Sequence, residues 1–88
     1  MQRGIRFSSS AWAHDQYWMV QDKTTLRRIN NLIADALREP CDGIGKPEPL
    51  KHGFSGWWSR RIDQAHRMVY RLREETLKTA ALRYPYGE

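Results

Sequence analysis

The chain has 88 residues, with 15 Lys and Arg against 10 Asp and Glu, a net charge of +5 and a single cysteine. An internal disulfide and a cysteine-based metal site are therefore excluded, and no apolar run has the length of a signal peptide or a membrane span. One domain over residues 1–88, working in a reducing cytoplasm, is expected. The excess charge suits a polyanionic partner, and it is unevenly placed: residues 1–50 hold seven basic and six acidic side chains, residues 51–88 eight and four.

Ile5-Arg6-Phe7 reads as a short strand. Ser8-Ser9-Ser10 then offers N-caps for a helix over 10–21, in which Trp12 and Met19, and likewise Ala11 and Trp18, share a face. Asp22 can cap a second helix, whose apolar stripe is Leu26, Ile29, Leu32, Ile33, Ala36 and Leu37. It should end near Glu39, because Pro40 disfavours helical geometry at the residue before it. Residues 40–56, with Gly43, Gly45, Pro47, Pro49, Gly53 and Gly56, read as an extended loop given a defined path by its prolines. Strands follow at 57–62, 66–72 and 77–84. The order is β-α-α-β-β-β, an α+β arrangement.

Side-chain parity tests the pairing. With residue 62 opposite 66, Trp58, Ile62, Met68, Tyr70 and Leu72 share one face, and Ser59, Arg61, Arg67, Val69 and Arg71 the other. A shift by one residue mixes apolar and charged faces. Arg60 is left on the apolar side, from which it should snorkel to an edge. The same reasoning pairs Met68 with Leu82 and Tyr70 with Ala80, which sets Arg83 on the face of Arg61 and Arg67.

Cleavage of RNA by its own 2′-hydroxyl needs a base, positive charge around the pentacovalent phosphate, and an acid for the departing oxygen. Glu48, stiffened between Pro47 and Pro49, can be the base. Arg61 and Arg67 offer fork-shaped donors matched to phosphate oxygens, Lys51 a point charge, and Trp57 a stacking surface. Plainer readings exist for each. A loop glutamate is usually a solvated charge, strand arginines usually form a wet sheet face, and Trp57 and Trp58 more often fill a core. His14 and His66 read as structural or solvated rather than catalytic. No His/Cys/Asp/Glu spacing suggests a metal, and no Gly-rich loop has the form that cradles a nucleotide, so no cofactor is expected.

Four motifs bear on this choice: Gly43-x-Gly45-Lys46-Pro47-Glu48-Pro49-Leu50-Lys51-His52, Ser55-Gly56-x-Trp58-Ser59-Arg60-Arg61-Ile62, His66-Arg67-x-Val69-Tyr70 and Arg83-Tyr84-x-Tyr86. Together with Trp12, Trp18 and Asn30, they closely resemble the YoeB-type toxins of the RelE/ParE superfamily. The resemblance covers essentially the whole chain. It implies a microbial-RNase-like fold, with two helices on a twisted antiparallel sheet, and a type II toxin–antitoxin system. It further implies ribosome-dependent mRNA cleavage in the A site, a YefM-like antitoxin covering the active face, and a homodimer. Carried over by position, it makes Glu48 the general base and sets Arg67 on the scissile phosphate. Arg61 and Lys51 then bind RNA, joined by Arg83 from strand parity, and Tyr86 is the terminal aromatic. Pro85 departs from the pattern, since such toxins usually place a general-acid histidine there, and Gly87-Glu88 adds an anion near the site. An attenuated endoribonuclease is therefore expected. The alternatives are a catalytically disabled homologue that binds antitoxin and ribosome, and a DNA-binding module using Arg27 and Arg28.

Overall fold

The computed structural model describes residues 3–83. Strand β1 (Gly4–Phe7) leads directly into helix α1 (Ser9–Gln21), capped by Ser8, whose Oγ accepts from the Ala11 N–H at 3.0 Å. Helix α2 (Lys23–Arg38) begins almost at once. Asp22 serves both helices: its own N–H donates to the Trp18 carbonyl at the end of α1, while its Oδ1 accepts from the Thr24 and Thr25 N–H groups at the start of α2. Those bonds, led by one from the Thr25 hydroxyl, hold the Asp22 carboxyl below the usual range. At Glu39 the helix stops, as expected from Pro40.

Among the described residues the remaining strands are β2 (Glu48–Pro49), β3 (Trp58–Arg61), β4 (Arg67–Arg73) and β5 (Thr76–Ala81). They form one sheet in the order β1-β5-β4-β3-β2. The α+β class, with both helices packed on the sheet, agrees with the sequence. One detail differs: β1 runs parallel to β5, from Gly4 opposite Thr76 to Phe7 opposite Thr79, so the sheet is mixed. The 40–56 segment is also more ordered than a loop, since it contains β2 and a 3-10 turn at His52–Phe54.

The β3–β4 register is the expected one, with Trp58 opposite Tyr70, Arg61 opposite Arg67, and the Ile62 N–H bonded to the His66 carbonyl at 2.9 Å. The β4–β5 register is corrected. Val69 faces Ala81, but a bulge follows, and Tyr70 pairs with Thr79, not Ala80. The reason is apolar burial. Unbroken pairing would place Lys78 opposite Leu72 on the helix side and turn Leu77 outward. The extra residue in β5 reverses that parity, so Leu77 is fully buried opposite Leu72, and Lys78 faces Arg71.

Trp18, Ile29, Leu32, Ile33 and Ala36 of the helices meet Ile62, Met68, Tyr70, Leu77 and Leu82 in the core. On α1 the Ala11 and Trp18 face is buried, while Trp12 and Met19 stay exposed. Just past β5 the chain is fastened to α1. The Leu82 N–H donates to His14 Nδ1 at 3.0 Å, and Trp18 Nε1–H donates to the Leu82 carbonyl at 2.8 Å.

Candidate active site

The site begins with an arginine on the other side of the sheet. Arg60 does not snorkel to an edge, as its parity suggested; it is completely buried. The interior supplies every acceptor that its fork needs. Its Nε–H donates to Tyr70 Oη at 2.9 Å, and Nη1 donates to Asp35 Oδ2 at 2.6 Å and the Ile44 carbonyl at 3.1 Å. Its Nη2 donates to the carbonyls of Glu39 at 2.6 Å and Asp42 at 2.9 Å. Tyr70 in turn donates its hydroxyl proton to the Pro40 carbonyl at 2.6 Å. The end of α2 and the loop beyond it expose carbonyls with no helical partner, and Arg60 satisfies them from within.

Asp35 completes this cage, accepting also from the Ile44 N–H at 3.0 Å and from Arg38. The Arg60 bond first, then the Ile44 N–H, holds its carboxyl below the usual range. Burial pushes the Tyr70 phenol up. Two glycines let the loop come this close. At Gly43 (φ 120°) a Cβ would stand 1.9 Å from Asp35 Oδ2, and at Gly45 (φ 80°) one would stand 2.7 Å from Leu32 Cδ2.

The loop so anchored delivers β2 to the sheet edge. Arg61 donates its N–H to the Gly45 carbonyl at 2.7 Å, and Glu48 then pairs with Ser59 and Pro49 with Trp58. Proline is tolerated at such an edge, where no ladder N–H is lost. On the face away from the helices, Arg67 Nη1 reaches Glu48 Oε1 at 2.9 Å and Ser59 Oγ at 3.3 Å. Arg61 stands opposite Arg67 on the neighbouring strand and is exposed. The structure thus brings Glu48, Arg61 and Arg67 together over a fully buried Ser59. Lys51 is exposed just before the 3-10 turn.

Ser59 was not among the candidates, although parity already placed it between the arginines. Arg83 departs from the expected three-arginine face. β5 ends at Ala81, Leu82 is tied to α1, and the Arg83 guanidinium lies 3.5 Å from the centroid of the Tyr17 ring. Trp57 does reach the outer face, with the Arg71 guanidinium 4.9 Å from its ring centroid, whereas Trp58 packs against the core. Pro85 and Tyr86 lie outside the described residues.

An exposed ion pair such as Glu48–Arg67, with side chains 58% and 23% exposed, contributes little to stability. Its interest is chemical. A carboxylate open to solvent is set against cations that keep further donors for an anion.

Residues 7–86 match the model of a family described as YoeB-like toxins of bacterial type II toxin–antitoxin systems. The chain belongs to that family. Toxin YoeB of Escherichia coli K12 is 49% identical over 80 residues, covering 91% of this chain and 95% of that toxin. The YoeB dimer from Staphylococcus aureus superposes with a TM-score of 0.91 at 37% identity, covering 98% of this chain and 100% of that one. The toxin in a heterotetrameric YoeB–YefM complex from the same organism gives a TM-score of 0.88 at 37% identity, with the same coverage. As a YoeB-like toxin the chain is one component of a toxin–antitoxin system. Among its described residues no helix is long and apolar enough to cross a membrane, and no group of three or more His, Cys, Asp or Glu side chains could hold a metal ion.

Proposed function

We propose that this toxin is a ribosome-dependent endoribonuclease that cuts mRNA in the A site by attack of a 2′-hydroxyl on the adjacent phosphate. The observation that carries the reading is the 2.9 Å approach of Glu48 to Arg67 beside Arg61. Glu48 takes the proton of the 2′-hydroxyl. Arg67, freed from Glu48 toward the phosphate, and Arg61 neutralise the charge that grows on its oxygens, with Lys51 holding the flanking backbone.

The departing 5′ oxygen needs a proton, and Pro85 has none to give. Tyr86 or a water supplies it, at a cost of about 10²–10⁴ in rate relative to a positioned general acid. The reaction takes place in the cytoplasm, where ribosomes are. A YefM-like antitoxin and a second copy of the chain are the protein partners, in line with the complex and the dimer of the S. aureus relative.

Primer extension on mRNA from translating ribosomes, with and without the toxin, tests the reading. Cuts confined to A-site codons are expected. Pro85 also favours a second reading, a disabled homologue that occupies the ribosome without cutting. Stalling without new 5′ ends would select that reading and end the first.

A further inference from the structure

The outer face carries a second concentration of positive charge that the Glu48–Arg67 pair does not use. The bulge in β5 sets Lys78 opposite Arg71, and the parallel pairing of β1 sets Arg6 opposite Lys78. Three cations therefore stand in one row across three strands, over about 10 Å of sheet. Like charges directly opposite each other destabilise a sheet. Among the described residues neither Arg6 nor Lys78 has an ion-pair or hydrogen-bonding side-chain partner. The Nε of Arg71 is buried without a hydrogen bond. Arg73 lies on the same face of β4 as Arg71, and among the described residues Glu74 is the one carboxylate lining the depression beside Arg6, Arg73 and Lys78.

Next to this row is a groove of about 360 Å3, lined by Arg6, Lys78 and Trp57 among others. Trp57 carries Arg71 on its ring. Cations for phosphates and an aromatic ring for a base are the two parts of a single-strand platform. An acidic peptide would use the charges but leave the ring without a role.

We propose that Arg6, Lys78, Arg71 and Trp57 form a second RNA-binding site, which holds the phosphates of a single strand along the cation row and stacks a base in the groove. It rests on the reading above for its ligand class, not for the cleavage chemistry.

Binding is measured by fluorescence anisotropy of a labelled single-stranded RNA oligonucleotide between 50 and 200 mM salt. The host protein is the full chain carrying Glu48→Gln, which removes the proposed base, so binding and cleavage fail separately. Adding R6Q and K78Q should flatten the slope of log affinity against log salt by about 1.4, near 0.7 for each lost phosphate contact. Trp57→Leu should weaken binding at least about fivefold and leave that slope unchanged. K23Q with R27Q, an equal charge change on α2, should leave the affinity within about twofold. Equal losses from the two charge pairs would mean diffuse attraction and overturn the proposal. So would an unaltered slope in R6Q/K78Q. Loss of poly-glutamate binding in R6Q/K78Q, with RNA affinity unchanged in that variant and in Trp57→Leu, would assign the face to an acidic peptide.

Discussion

Arg60 and Arg67 sit on adjacent strands of one sheet and have opposite lives. Arg60 faces the helices, is fully buried, and donates to five different oxygens. Arg67 faces outward and shares one nitrogen between Glu48 and Ser59. A buried guanidinium must have all its donors met, because desolvation leaves no other source of compensation. An exposed one can hold donors in reserve for an anion that arrives later. The inner arginine therefore shapes the loop that brings Glu48 to the edge, and the outer one waits beside it. Position on the sheet, not residue type, separates the arginine that builds the framework from the one that the proposed reaction would use.

The largest effect should come from the inner arginine. Arg60→Gln leaves Asp35 and several loop carbonyls without their donors, and should cost about 3–5 kcal/mol of unfolding free energy in urea titrations. A loss under 1 kcal/mol would show that the cage is incidental to the fold. The outer pair should behave in the opposite way. Glu48→Gln should reduce single-turnover cleavage on ribosomes at least about a hundredfold, with stability within about 0.5 kcal/mol of the parent. Undiminished cleavage would remove Glu48 from the role of base.

Pro85→His sharpens the comparison further. The resemblance implies a general-acid histidine at this position, and an imidazole, with an ordinary pKa of about 6.5, could release a proton to the departing oxygen near neutral pH. Single-turnover cleavage should rise at least about tenfold, with ribosome affinity nearly unchanged. Equal rates would mean that another group already donates the proton and that the chain is not attenuated.

The smallest effect is on the inner side. Burial, then the charges of Arg83 and His66, lower the pKa of His14 from its ordinary 6.5. The neutral ring accepts the Leu82 N–H. The unfolded chain thus takes up the proton first. Stability from this group is complete above pH 6.5 and declines as the pH falls from there toward the folded value. His14→Gln should flatten the stability profile in that window; an unchanged profile would place the proton uptake at another group.

The helices were legible because their signals are local. Ser8 and Asp22 cap them, Pro40 stops the second, and the Ile29–Leu32–Ile33–Ala36 stripe reads at helical spacing. That Arg61 and Arg67 share a face followed from parity across β3 and β4, since a period of two leaves one register that keeps apolar and charged faces apart; Glu48 was set with them only by the family resemblance. Two short-range features were not legible. Strand β2 has two residues and exists only because the loop behind it is anchored. The bulge in β5 depends on which of Leu77 and Lys78 meets the helices.

The sequence by itself determined the first strand, the two helices and their ends, the three strands after the loop, the β3–β4 register and the family, all of which rest on neighbours in the chain, on alternation along it or on motifs read directly. Tertiary structure alone decided that Arg60 is interior, that Arg83 turns to Tyr17, and that Arg6, Lys78 and Arg71 stand in a row. Those outcomes depend on which distant carbonyl, ring or strand fills the space beside each side chain. A guanidinium can be solvated by water or by protein oxygens, and parity does not say which will be there.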